Sequence, residues 1–153
     1  MKFMFRHPEL LLFGAIFTIY AIVVTPDFTW INADVDSFGI YLASKDPLAA
    51  TNRGFLLYTL LGNAALHIPL GTEAWRLAFF NSLIPSVATS ILIFYVVRKQ
   101  TVNRIAPFIA SASFAGCVVI VSQASIIEVY SMATFFVVLA YTLSVYNRPR
   151  WAA

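Results

Sequence analysis

The sequence predicts an all-α integral membrane protein with about four transmembrane helices, a long first outer loop and an interfacial helix. Three observations carry this. Of 153 residues, 60% are hydrophobic and only 11% charged, where an ordinary soluble domain carries about 25% charged residues. The charges are also segregated. The stretches 10–26, 54–72, 77–97, 105–127 and 129–147 hold none and together cover 99 residues, so all 17 charges fall in the remaining 54. A water-soluble helix needs a polar face that recurs every turn or two. Finally, the charges sort by sign along the chain, as they do when alternate loops lie on opposite sides of a bilayer. A soluble globule, a disordered chain and a nucleic-acid binder are all excluded by this pattern. The net charge of +3 therefore reflects topology rather than a polyanionic ligand.

A span needs roughly 17–25 apolar residues to cross the hydrocarbon. The first is expected at about 10–25. It begins after Lys2 and Arg6 and resembles a signal peptide, but its exit, Val24-Thr25-Pro26-Asp27, offers no small-x-small cleavage site, so it reads as a retained anchor. Pro26 closes it. The outer loop, 26–53, holds four of the seven acidic residues. Phe28, Trp30, Phe38 and Tyr41 make it too apolar for a free linker, so it is expected to pack on the membrane surface, with a short amphipathic helix over Val35–Ser44.

The stretch 54–72 is long enough to span but contains Asn63, His67, Pro69 and three glycines. Thr59, Asn63 and His67, spaced i, i+4, i+8, form one polar stripe. An interfacial helix over 54–68, or a re-entrant segment, fits better than a span. The positive-inside rule agrees. If this stretch does not cross and the amino terminus is cytoplasmic, seven of ten basic residues are inside and six of seven acids outside; if it crosses, only three basic residues are inside. The remaining spans are then about 73–97, 105–121 and 127–146. Arg98–Arg104 forms a basic inner hairpin, Ser122–Ile126 an outer turn, and Trp151 an interfacial anchor in the cytoplasmic tail.

Two small-residue stripes suit close helix approach in lipid: Ser82, Ser86 and Ser90 on the second span, and Ala106, Ala110, Ser113 and Gly116 on the third. Pro85 is expected to kink the second span. Cys117 cannot form an intrachain disulfide; one cysteine excludes a Cys₄ or Cys₂His₂ zinc site by count, and with His7 and His67 the only histidines a His-based site is not expected. Gly-rich phosphate loops, a nucleophile elbow and HExxH are absent.

Charges close to membrane depth need a reason. In the four-span topology Asp34, Asp36, Arg76 and Glu128 all meet the outer boundary, and this convergence marks an acidic outer-face site. Plainer roles stand beside it: Asp34 suits a helix cap before Val35, Arg76 suits snorkelling to headgroup phosphates, and Glu128 suits an ion pair with Arg76.

An ordered set of short motifs runs through the same region: Asp36-Ser37; Gly54-Phe55-Leu56-Leu57-Tyr58; Pro69-Leu70-Gly71; Trp75-Arg76 with Asn81-Ser82; Ser122-Gln123-Ala124; and Glu128-Val129-Tyr130. From about Asp34 to Tyr130 this succession resembles the amino-terminal region of the protein O-mannosyltransferase-like membrane proteins of the GT-C glycosyltransferase superfamily. The family pattern is Asp-Ser-Gly-Glu, His-Pro-Pro-Gly-Tyr-Pro-Leu-Tyr, Pro-x-Gly, Trp-Arg-x-Asn and Glu-Val-Tyr. Here Phe38-Gly39 follows Asp36-Ser37, and Thr51-Asn52-Arg53 replaces His-Pro-Pro.

The resemblance implies a hexosyltransferase that moves a sugar from a polyprenyl-phosphate donor to a hydroxyl of a protein or glycan acceptor. Asp36 would be the catalytic base, with Asp34 as its alternative. Arg53, Arg76, Asn81, Glu128 and Tyr130 would contact substrate. No cofactor is required by name, and a divalent metal is left open. Members of the family have more spans, so the chain is expected to be the front of a larger fold, completed by further membrane segments or subunits. The expected setting is the plasma membrane of a prokaryote, with both termini cytoplasmic, 26–72 outside, membrane lipid as a partner and no nucleic acid. The rival reading is a non-catalytic four-helix scaffold or lipid-binding protein. A channel is disfavoured because no span carries a central charge.

Overall fold

The computed structural model describes residues 7–26, 35–47 and 56–147, with backbone only for Val35 and Asp36. These residues form seven helices and no strands: α1 Pro8–Val23, α2 Val35–Lys45, α3 Leu56–Leu66, α4 Glu73–Gln100, α5 Ala106–Ala115, α6 Val118–Ser125 and α7 Tyr130–Asn147. The short helix expected after Asp34 is α2, and within the stretch 54–68 a helix forms as α3.

Local chemistry accounts for the ends. Pro8 opens α1, where its missing N–H is no loss. Thr72 caps α4 by accepting the Trp75 N–H at 3.1 Å, Glu73 sits in the first turn, and Arg98 and Lys99 sit in the last, matching the helix dipole at both ends. The turn before α4 needs Gly71, whose φ is +55° and whose absent Cβ would lie 2.8 Å from the Trp75 ring.

Pro85 does not break α4. The preceding turn, Phe79–Leu83, widens into a π-helix in which the Ile84 N–H reaches back to the Phe79 carbonyl. The wider register absorbs the missing proline N–H, and Thr89 donates to the Pro85 carbonyl at 2.7 Å.

The expected continuous third span, 105–121, is corrected. It is two helices, α5 and α6, bent by 58° at Gly116-Cys117. The Gly116 N–H ends α5 on the Ala112 carbonyl, and Cys117 is extended at ψ 126°. The broken ladder frees the Ala115 carbonyl, and the buried Tyr20 hydroxyl donates to it at 2.8 Å. A buried helix end is tolerated only when its carbonyls find such partners. The outer turn is corrected as well: helix continues to Ser125, and the turn is Ile126–Val129.

The four long elements run end to end. Glu9 of α1 lies 3.8 Å from Arg98 at the carboxy-terminal end of α4, while Thr25, just past α1, donates from its N–H to the Ser125 carbonyl at 3.1 Å. Phe94 of α4 stacks edge-on against Phe108 near the start of α5. Ser86 meets Ser131, and Tyr95 meets Tyr146, so α7 runs parallel to α4. In chain order, α1, α4, α5–α6 and α7 therefore alternate in direction. Helix α3 packs over the amino-terminal half of α4, and α2 packs on α3 and reaches Glu73 at the start of α4 through Tyr41 and Lys45.

Among the described residues one helix, Glu73–Gln100, is long and apolar enough to cross a membrane, or two if the bent α5–α6 pair is one span. Helix α1 has 16 residues and α7 has 18.

The serine stripe on α4 is an internal seam. Ser82, Ser86, Thr89 and Ser90 are buried. Ser86 donates to the Ser131 hydroxyl at 3.0 Å, Ser131 donates to the Gln123 carbonyl at 3.1 Å, and Ser111 donates to the Ser90 carbonyl at 2.9 Å. On α5 the expected stripe is corrected. Ser113 and Gly116 are exposed, and the face turned inward is Pro107, Ser111 and Ala115.

Candidate functional site

The segment Ser125–Glu128 gathers three distant elements at one end of the bundle. Thr25, at the exit of α1, binds the Ser125 carbonyl through its hydroxyl at 3.1 Å. Ser37, the third residue of α2 and 4% exposed, donates to the Ile127 carbonyl at 2.8 Å. Ser82, in the π turn of α4, does double duty: its hydroxyl donates to the Glu128 carbonyl at 3.2 Å and accepts the Glu128 N–H at 3.3 Å. The wide π turn holds Ser82, and Ser37 follows Asp36 directly. Residues some 90 positions apart are thereby fixed around the Glu-Val-Tyr motif.

Helix α3 closes this end. Gly62 lets it lie against α2 and α4; a Cβ there would meet Ser44 Oγ at 2.5 Å and Asn81 Nδ2 at 3.1 Å. Asn63 donates to the Ser44 carbonyl at 2.8 Å, and Asn81 donates to the Tyr58 carbonyl at 3.1 Å. The Tyr58 hydroxyl lies 3.5 Å from Ser82 Oγ. Burial pushes the Tyr58 phenol up, and the nearby Glu128 charge pushes it further. Tyr41 donates to the Glu73 carboxylate at 2.5 Å, and Lys45 pairs with it at 3.0 Å. Bonding to Tyr41 and Glu73 holds the Lys45 ammonium above its ordinary 10.5. The loop after α1 joins the same end, where the Thr72 hydroxyl donates to the Pro26 carbonyl.

The expected site residues divide as follows. Asp36 lies in the first turn of α2, next to the Ser37–Ile127 bond. Glu128 is held by Ser82. Tyr130 opens α7 and is 61% exposed. Asn81 is 1% exposed, and its amide is committed to Tyr58, so it fastens α3 to α4. Arg76 donates through Nη1 to the Ile68 carbonyl, while its Nε is buried without a partner. Among the described residues no ion pair joins Arg76 to Glu128, which corrects that expectation. Asp34 and Arg53 lie outside the described residues. No three His, Cys, Asp or Glu side chains converge among the described residues.

Below the Ser82–Glu128 clasp lies a cleft of about 340 Å³ between α4, α6 and α7, walled by Phe114, Val119, Ile120 and Tyr130 and lined by Ser86, Gln123, Ser131 and Thr134. Gln123 Oε1 is buried there with no hydrogen-bond partner. A buried carbonyl of this kind is costly unless a donor fills the site. The sequence reading assigned Gln123 no role. Its signals were its place in the Ser122-Gln123-Ala124 motif and being the only amide side chain in the charge-free stretch 105–127.

Comparison with protein-family models, with curated proteins and with solved structures gives no match for this chain.

Proposed function

We propose that this chain is the amino-terminal membrane module of a GT-C-type glycosyltransferase, with four crossings made by α1, α4, the bent α5–α6 pair and α7. The alternating direction of these elements supports the topology, as does the division of charge between the two ends. Among the described residues Lys45, Asp46, Glu73, Arg76 and Glu128 lie at one end, with a net acidic balance, and Glu9, Arg98, Lys99 and Arg104 lie at the other, with a net basic one. Ile22, Ile109, Val118 and Val137 are exposed large apolar side chains that a lipid-facing surface explains and a water-facing one does not.

The observation that carries the transferase reading is the Ser37–Ile127 hydrogen bond beside the Ser82–Glu128 clasp. It joins the Asp36-Ser37 motif to the Glu-Val-Tyr motif at the same end of the bundle. In the proposed reaction the acceptor hydroxyl gives its proton to the Asp36 carboxylate as its oxygen attacks the anomeric carbon. The bond from that carbon to the donor phosphate oxygen breaks, and polyprenyl phosphate leaves with the bonding pair. Arg76, which has an unpartnered Nε, offsets phosphate charge. The Gln123 side-chain Oε1 accepts from a substrate hydroxyl in the cleft beside Tyr130.

The test is transfer from a labelled polyprenyl-phosphate hexose in membrane vesicles that contain the chain. Asp36→Asn is expected to slow transfer by about a hundredfold or more, the usual contribution of a general base. An unchanged rate in that variant, where the unsubstituted chain is active, removes Asp36 from the chemistry.

A further inference from the structure

At the opposite end of the bundle a cleft of about 740 Å³ opens between the start of α1, the end of α4 and the start of α5, lined among others by His7, Glu9, Tyr95, Arg98, Asn103 and Arg104. Its charge is unbalanced. Glu9, 7% exposed, is the only carboxylate among the residues lining it, and it already has two partners: His7 Nδ1 at 3.2 Å and Arg98 Nη1 at 3.8 Å. Arg98 keeps 59% of its side-chain surface exposed. Arg104 is exposed and makes no hydrogen bond or ion pair among the described residues. Asn103 uses its side-chain oxygen on the Ile105 N–H at 2.8 Å, so its amide N–H donors remain available. Two guanidiniums against one carboxylate, with an amide donor between them, suit a phosphate.

The surroundings narrow the source of that phosphate. Val102, which lines the cleft, and Leu10, Ile105 and Ile109, each next to a lining residue along the chain, are all exposed and apolar. A ligand that seats an anion among the arginines while lying along these side chains is amphiphilic. We propose that this cleft binds the phosphate of an anionic glycerophospholipid headgroup, with the acyl chains along the apolar rim. The inference rests on the membrane reading above and is independent of the transferase chemistry.

The test uses the full chain in a neutral detergent, titrated with phosphatidylglycerol, with phosphatidylcholine and with inorganic phosphate, and reads bound lipid by native mass spectrometry and the thermal shift. Phosphatidylglycerol is expected to bind and raise the Tm, and the other two are not. Arg104→Gln, at an exposed loop position, is expected to keep the lipid-free Tm and to weaken phosphatidylglycerol on the order of fivefold. Lys99→Gln removes a charge from the same basic end without touching the cleft, since Lys99 lies over the Tyr146 ring and on the Val145 carbonyl; it is expected to leave the affinity unchanged. Equal response to the two lipids, or equal weakening in the two variants, overturns the proposal, and a shift by inorganic phosphate matching that of the lipid overturns the assignment to lipid. Recovery of the chain in the soluble fraction without detergent overturns the membrane reading itself.

Discussion

Gly62 is the residue on which the Glu128 end of the bundle closes. With Ser44 Oγ 2.5 Å and Leu77 Cδ2 3.0 Å from where a Cβ would stand, no larger side chain fits without moving α3. Gly62→Val is expected to lower the unfolding free energy by about 1–3 kcal/mol, as overpacking does, measured as a fall in Tm in detergent. Little of this was legible beforehand. Gly62 was one of three glycines in an ambiguous stretch, and a glycine needed for close packing looks the same in sequence as one that breaks a helix. Asn81 shows the same limit. The resemblance through its Trp-Arg motif implied a substrate contact there, and what the sequence did not show is that its amide holds the Tyr58 carbonyl. Gln123 went the other way: it stood in the Ser122-Gln123-Ala124 motif with no role of its own, yet its side-chain oxygen, like Arg76 Nε, is buried without a hydrogen-bond partner.

Among the elements, α4 was the most legible and the α5–α6 pair the least. Nineteen or more uncharged residues with serines at i, i+4 and i+8 specify a buried helix that approaches its neighbours closely, and Ser82, Ser86 and Ser90 are all in the seam. On α5 two small-residue stripes were available, offset by one position. One residue turns a helix by about 100°, so the choice between Ala106/Ala110 and Pro107/Ser111 depended on which side α4 occupies. Ser111→Ala removes the bond to the Ser90 carbonyl and is expected to cost about 0.6 kcal/mol, a typical interhelical hydrogen bond in a membrane protein. Ser111→Leu is expected to cost clearly more by wedging α5 from α4. Chemical-denaturant unfolding of both variants checks the order, and equal effects would mean that Ser111 is not in a close-packed seam. The bend at Gly116-Cys117 was hidden because apolar composition is continuous through it. Its stability depends on Tyr20, which lies 95 positions away and supplies the donor for the freed carbonyl.

For the whole molecule, the direction of each proposed crossing is the decisive property. Lys45 pairs with Glu73 at the start of α4, and the Thr101 N–H binds the Val97 carbonyl at its end. Cys117 is exposed, so it is first replaced by serine. Lys45→Cys and Thr101→Cys are then expected to react with a membrane-impermeant maleimide from opposite sides of oriented vesicles. Labelling from one side would defeat the four-crossing topology.

The sequence by itself determined the helical class, the apolar stretches and the sorting of charge between two ends, because each depends on composition along a single segment. It also marked the motifs Asp36-Ser37 and Glu128-Val129-Tyr130. Tertiary structure alone decided that the third stretch bends, that α5 turns its Ser111 face to α4, that Ser37 and Ser82 clasp the segment before Tyr130, and that a basic cleft opens at the far end. Each of these is a contact between segments far apart in the chain. The hydrogen-bond donor or acceptor a buried group needs is set by which helix packs against it, and that is a property of the fold rather than of any one stretch of sequence.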